Sequence, residues 1–397
     1  MIKNKLFSVF IILFCLSQVL NAEDFKYLLN KALESNSNLK SSGIEIELAK
    51  EKGSILTRFD NPILDLNYSS YRLKENRNKE TGQGISLSQK IVPWNVTSDK
   101  EHLSQATIKN EIAKYNLDKQ EFIKELSIRY TIYAKSKSYL DVIKESHKIA
   151  TKVYDISNER YKVGAISKAE LLLSEIELIE IKKKKNELDL ELMNNYYDLI
   201  KFAGIEETSH LDLDNNYKFE ITNNVTLEKN PFINSEESKK EMLLSESKLN
   251  SNVIDSFDFI YSYSEEPDQT VNQVGISLPL PIFDTKSEES RILKLNAMKM
   301  NLLINKEKQL ASMEYEKLIK ERILLNNIKT ENQNVLKLQM DSLGMLMEKL
   351  KISQISILDI QNSKAKLIQT ITDIVNIETA LNQNAIAINY ITGEYND

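Results

Sequence analysis

Cysteine is nearly absent, and the single one, Cys15, lies inside the first apolar run. A mature chain without that run has no disulfide or thiolate site, so stability has to come from packing or assembly. Turn formers are scarce too, with nine glycines and six prolines in 397 residues. A compact domain of this length carries more turns, so long uninterrupted helices are implied. Positive charge is not in excess: the net charge is −6, which argues against a nucleic-acid partner. The three histidines, His102, His147 and His210, stand far apart, and no Ser/His/Asp, HExxH or Gly-rich phosphate pattern occurs. The chain therefore reads as no enzyme, with no cofactor and no metal site. Beyond the N-terminus, no apolar run approaches the ~18 to 20 residues of a membrane-spanning helix.

What is present begins with Lys3 and Lys5, an apolar stretch from Leu6 to Leu20 and the small residue Ala22. That order is a secretory signal peptide over residues 1–22. The bulky Phe14 ahead of Cys15 makes a poor lipoprotein cleavage site. Loss of Lys3 and Lys5 takes the formal charge from −6 to −8.

The rest is written twice. Arg160-Tyr-Lys-Val-Gly-Ala-Ile-Ser-Lys-Ala-Glu-Leu-Leu172 aligns with Lys349-Leu-Lys-Ile-Ser-Gln-Ile-Ser-Ile-Leu-Asp-Ile-Gln361 at a shift of 189. The same ungapped shift carries Ser174 onto Ser363, Leu178 onto Leu367 and Gly204 onto Gly393. Upstream, Gly84-Ile-Ser-Leu87 pairs with Gly275-Ile-Ser-Leu278 at a shift of 191. Duplication of a unit of about half the chain follows. It divides the chain into a first repeat over 23–204, a polar connector over 205–234 placed at mid-height, a second repeat over 235–393 and a tail over 394–397.

Each half changes its periodicity. Leu178, Ile181, Leu188, Leu192, Leu199 and Phe202 follow coiled-coil spacing, as do Ile360, Leu367, Ile371, Ile374, Leu381, Ala385 and Ile388. These predict helices over about 167–203 and 356–391, closed by Gly204 and Gly393. Ser167 with Glu170, and Ser356 with Asp359, read as N-caps with an acidic third residue. Longer proline-free stretches over about 96–162 and 286–351 predict helices of roughly 100 Å. An N-terminal helix over about 24–57 stacks end to end with the helix after Ser167 to match that length.

Between the helices, short segments alternate. Leu64, Leu66 and Tyr68 alternate with Asp65, Asn67 and Ser69, and Ile85 and Leu87 with Ser86 and Ser88. Phe257 to Tyr263 and Val274 to Leu280 repeat the pattern. Strands over about 62–71, 84–92, 256–264 and 272–281 are predicted, joined by charged turns. One apolar and one polar face is the pattern of a membrane β-barrel wall. Open sheet edges are not tolerated in lipid, so four strands require oligomerisation, and three copies supply 12 strands. Tyr68, Tyr71, Trp94, Tyr261 and Tyr263 are candidates for an interfacial aromatic belt.

With these residues in place, Arg160-Tyr-x-x-Gly-x-x-Ser-x-x-Glu-Leu-Leu172 resembles the helix-tip signature of the TolC-like outer-membrane efflux factors. Gly275-Ile-Ser-Leu-Pro-Leu-Pro-Ile-Phe-Asp284 and Ser88-Gln-Lys-Ile-Val-Pro-Trp94 look most like the CzcC-like branch associated with heavy-metal cation efflux. The resemblance covers essentially the whole mature chain. It implies a mainly α fold with a small membrane β part, in which long coiled-coil hairpins and four strands per protomer form a 12-stranded barrel and an α-helical tunnel as a homotrimer. It also implies an outer membrane of a Gram-negative bacterium, extension into the periplasm, contact with outer-membrane lipid, and a tripartite efflux system. The partners are a periplasmic adaptor and an inner-membrane pump of RND type. Ser353 stands where the signature favours glycine, and Asn362 where some members carry a second acidic gate residue.

In such a channel, rings of side chains from symmetry mates set selectivity and gating. Asp359 is the first candidate, as an acidic ring or as a helix cap; Asn362 and Glu170 follow. The tips, Val163, Gly164, Ala165, Ile166 and Ser167 with Ile352, Ser353, Gln354, Ile355 and Ser356, are the expected adaptor-docking surface. Met340, Met345 and Met347 suit a soft metal, but at this spacing they suit packing better. A periplasmic adaptor or a coiled-coil structural or adhesion protein is the alternative, and organic toxic compounds or drugs are the alternative substrate.

Overall fold

The computed structural model describes residues 25–72, 79–205, 211–221, 227–351 and 356–394. The signal-peptide residues 1–22 and the tip residues Ile352, Ser353, Gln354 and Ile355 lie outside the described residues. The elements run α1 (Phe25–Ser35), α2 (Ser37–Thr57), β1 (Ile63–Arg72), β2 (Lys79–Ile91), α3 (Trp94–Lys162), α4 (Lys168–Ala203), a 3-10 turn (Leu227–Lys229), α5 (Pro231–Asn250), β3 (Phe257–Glu265), β4 (Thr270–Ser277), α6 (Ser287–Lys351) and α7 (Ile357–Thr392). Helix α3 has 69 residues and α6 has 65, each without an internal proline to break the ladder. The chain forms two compact units: residues 38–119 with 226–312, and the remainder.

The first unit holds the sheet. Its order is β1-β2-β3-β4, every neighbour antiparallel, with β1 and β4 at the edges. Strand β4 stops at Ser277 rather than 281, because Pro279 and Pro281 have no N–H to give to a ladder. Strand β2 starts at Lys79 rather than 84, extending the pairing to Arg72↔Lys79. Helices α3, α5 and α6 of this unit are tied by Asp99, which accepts from Lys248 at 2.8 Å and Asn252 at 2.9 Å, and by the buried Ser247–Ser290 pair at 2.9 Å.

The second unit is a helical bundle. The expected single helix over 24–57 is interrupted at Asn36, inside a Ser/Asn-rich stretch whose side chains compete with the helix ladder. There Ser35 Oγ donates to the carbonyl of Ala203 at the end of α4, 3.0 Å away. The connector is not merely polar: Leu211, Leu213 and Phe219 are buried. Phe219 packs on Phe25 and Tyr217 in an aromatic group that includes Tyr130. Asn382 on α7 substitutes for a strand partner, accepting from Phe219 N–H at 3.3 Å and donating to the Tyr217 carbonyl at 3.2 Å. Helix α5 begins at Pro231, inside the span expected of the connector, because Asn230 caps it and accepts from Ile233 N–H at 3.0 Å.

Candidate channel wall and helix tips

Strand pairing sorts the sheet into faces. Leu64 lies opposite Leu87, Leu87 opposite Tyr261, and Tyr261 opposite Val274, so one apolar row crosses all four strands. The adjacent row, Asp65, Ser86, Ser262 and Gln273, is polar and points to the other face. Leu66, Tyr68 and Val274 are among the exposed apolar side chains, so no other described residue covers them. At the junctions between helices and strands stand three nearly naked aromatics, Phe59, Trp94 and Phe283, at 81%, 89% and 100% exposure. Trp94 is in the expected belt; Phe59 and Phe283 are not, since each is an isolated aromatic outside a periodic segment.

In the helical unit, the hairpin of α3 and α4 turns at Val163 to Ser167. Gly164 has φ +72°, which lets its N–H reach the Tyr161 carbonyl at 2.9 Å and lets Ala165 N–H reach the Arg160 carbonyl at 2.8 Å. This double closure is the left-handed C-terminal motif that glycine favours. Gly204 and Gly393 end α4 and α7 the same way, at φ +68° and +69°. Val163, Gly164, Ala165 and Ser167 are exposed, whereas Ile166 packs against a core of Val153, Leu343, Leu350, Ile357, Ile360 and Leu367. Residues near both tips thus share one core. Arg160 strengthens the join by donating to the Leu350 carbonyl at 3.3 Å, near the C-terminal end of α6.

Both candidate acids are held by caps. Glu170 accepts from the N–H and the hydroxyl of Ser167, each at 2.9 Å, while Ser167 Oγ accepts from Glu170 N–H at 3.2 Å. The backbone bond, then the hydroxyl bond, holds the Glu170 carboxyl below its ordinary range, with Arg160 adding a smaller pull. Asp359 accepts from Ser356 N–H at 3.2 Å, and Ser356 Oγ accepts from Leu358 N–H at 3.1 Å. Asp359 and Asn362 are both exposed, one turn apart on α7. Ser356 is exposed beside them.

Of the methionines, Met340 and Met347 pack against the tip core and Met345 is exposed. Among the described residues, no three His, Cys, Asp or Glu side chains gather into a metal-holding group, and no helix is long and apolar enough to cross a membrane. A cavity of about 460 Å³ in the sheet-bearing unit is lined by Asp99, His102, Lys109, Glu241 and Lys248, with the Asp99–Lys248 and Lys109–Glu241 ion pairs on its wall.

Residues 28–204 match the family described as outer membrane efflux protein. That stretch, a little under half of the chain, carries the pattern of the family. The fold of this chain is similar to that of the Campylobacter jejuni CmeC outer membrane channel, at 18% identity and a TM-score of 0.72, over 93% of this chain and 85% of that one. It is similar also to the Vibrio cholerae outer membrane protein VceC, at 10% identity and a TM-score of 0.74, covering 93% and 95%. The open state of the Neisseria gonorrhoeae MtrE outer membrane channel matches at 12% identity and a TM-score of 0.72, covering 92% and 88%. Among curated proteins, no sequence matches.

Proposed function

We propose that three copies of this chain form the outer-membrane channel of a tripartite efflux system, receiving substrate from an inner-membrane pump of RND type through a periplasmic adaptor. The observation that carries the reading is the four-stranded sheet with an apolar row on one face and, among the described residues, no strand partner on the outer side of β1 or of β4. In hydrocarbon each unpaired backbone group costs several kcal/mol, so the edges have to meet other copies. Edges of different identity, β1 and β4, join head to tail and close a ring. Three copies give 12 strands, with the polar row lining a wet interior and Phe59, Trp94 and Phe283 seated at the headgroup level.

In this reading the tips, Val163 to Ser167 and Ile352 to Ser356, receive the adaptor. Asp359 gates. Three copies of its carboxylate converge one turn above the tip, attract cations and hold off anions, and Asn362 and Glu170 extend the ring. Heavy-metal cations are the proposed substrate, on the likeness of Ser88 to Trp94 and Gly275 to Asp284 to the metal-efflux branch.

Purified protein in planar bilayers tests the channel: discrete conductance steps are expected, and none at any protein concentration would overturn it. The substrate is tested apart, in a strain lacking the chain. Loss of tolerance to divalent metals supports the cation reading, whereas loss of tolerance to organic compounds alone overturns it.

A further inference from the structure

The turn end of the first hairpin carries two charges that its own strands do not neutralise. Pairing of β1 with β2 runs without a bulge from Ile63↔Ser88 to Arg72↔Lys79, so every second residue keeps its side. Arg72 therefore shares the apolar face with Leu64, Leu66 and Tyr68, and Lys79 shares it with Leu87. The two cations stand directly opposite each other, both exposed. At the other end of the hairpin Lys90 is paired with Asp60 at 3.4 Å, but among the described residues no carboxylate pairs with Arg72 or Lys79. Glu80 lies opposite Tyr71 and points to the polar face. Glu265, on the apolar face of β3, already accepts from Gln83 at 3.3 Å and from the Tyr263 hydroxyl at 3.0 Å. Like charges directly opposite in an antiparallel pair are destabilising, which points to an anion from outside the chain.

We infer that Arg72 and Lys79 form a phosphate-binding site for glycolipid headgroups of the outer leaflet, one site per copy. The hydroxyls of Ser70 and Thr81, exposed in the next row on the same face, are its further donors. This rests on the barrel reading above, which turns the apolar face to lipid, and adds a ligand to it. Height decides which part of a lipid is met. Helices join the sheet at the end that holds Ile63 and Ile91, so Arg72 and Lys79 lie at the end away from them. From Ile63 to Arg72 the strand climbs about 23 Å, at about 3.3 Å per residue and a tilt of about 40°. The apolar band of such a wall is about 25 Å tall, so the two cations sit at its outer edge. A guanidinium offers phosphate oxygens a planar fork of donors and an ammonium offers a compact charge. A phosphate monoester carries about two negative charges at neutral pH, matching the two cations and turning their repulsion into charge-assisted hydrogen bonds.

Lipid A, a glycolipid bearing phosphate monoesters, is the probe. The protein, purified as its oligomer in detergent, should retain up to one molecule per copy in native mass spectra. Arg72→Gln with Lys79→Gln should weaken that retention about tenfold or more, and the parent should hold dephosphorylated lipid A no better than this variant holds lipid A. Without lipid the double variant should melt no lower than the parent, because it removes a repulsion. On addition of lipid A the parent's melting temperature should rise and the variant's should not. Equal retention by parent and variant, equal retention of both lipids by the parent, or a variant that melts lower without lipid overturns the site. Displacement of lipid A by an equal concentration of inorganic phosphate assigns the pair to a free anion and overturns the lipid. An intact oligomer that retains no lipid A overturns the site and leaves the channel reading standing, whereas monomers from the unsubstituted chain overturn both.

Discussion

Lys364 on α7 forms an ion pair with Glu177 on α4, the lysine side chain only 4% exposed and the glutamate 17%. It ties the two hairpins together about ten residues from their tips. A buried pair adds little over a well-packed apolar pair, but losing one partner strands a charge. Glu177→Ala should therefore cost about 3 kcal/mol, read as a lower melting temperature by circular dichroism. Lys364→Met with Glu177→Met should recover most of that loss. Equal melting of the single and double variants would show that the pair is not buried in the assembled protein.

The tip turn depends on a backbone conformation rather than on space. No heavy atom lies within 4 Å of where a Cβ on Gly164 would sit, yet its φ is +72°. Gly164→Ala should cost about 1 to 2 kcal/mol locally. Gly164→Asn should cost less, because asparagine tolerates the left-handed region. Protease cleavage between Val163 and Ser167 checks the order, which should run Ala above Asn above Gly.

Acid should loosen the start of α4. The folded Glu170 carboxyl titrates below its unfolded value, so its contribution is present above the unfolded pKa and is lost as pH falls through the folded one. Glu170→Gln should flatten this dependence. Hydrogen exchange over Ser167 to Leu173, followed from neutral pH into the acidic carboxylate range, should rise in the unsubstituted chain and change little in the variant.

Asp359 separates charge from cap. Asp359→Asn retains an oxygen able to accept from Ser356 N–H and removes the negative charge. If the carboxylate gates, single-channel currents of the variant should lose cation preference and block by divalent ions while its melting temperature holds. If it only caps, both properties should match the parent.

What the sequence discloses about this fold is local. Ser167 with Glu170 and Ser356 with Asp359 are readable because a cap is settled within four residues, and Gly164, Gly204 and Gly393 because a left-handed turn needs glycine. The faces of β1 to β4 are readable from strict alternation. What sequence alone leaves hidden depends on distant partners. Arg160 meeting the Leu350 carbonyl, Lys364 meeting Glu177 and Asn382 meeting the connector backbone join residues 163 to 190 positions apart. Helix α4 also exposes Leu172, Ile176, Ile179 and Leu190, and a helix apolar on two faces has no single stripe to read. The break at Asn36 and the anchoring of Leu211 and Leu213 follow from what packs there, not from their own periodicity.

In the proposed channel, three copies complete the sheet that one chain leaves open at β1 and β4. Native mass spectrometry of detergent-extracted protein measures that directly: it should give one heat-sensitive species at three times the mature mass, recovered from the outer membrane. A soluble monomer recovered from the periplasm, with no larger species in the membrane, would contradict it.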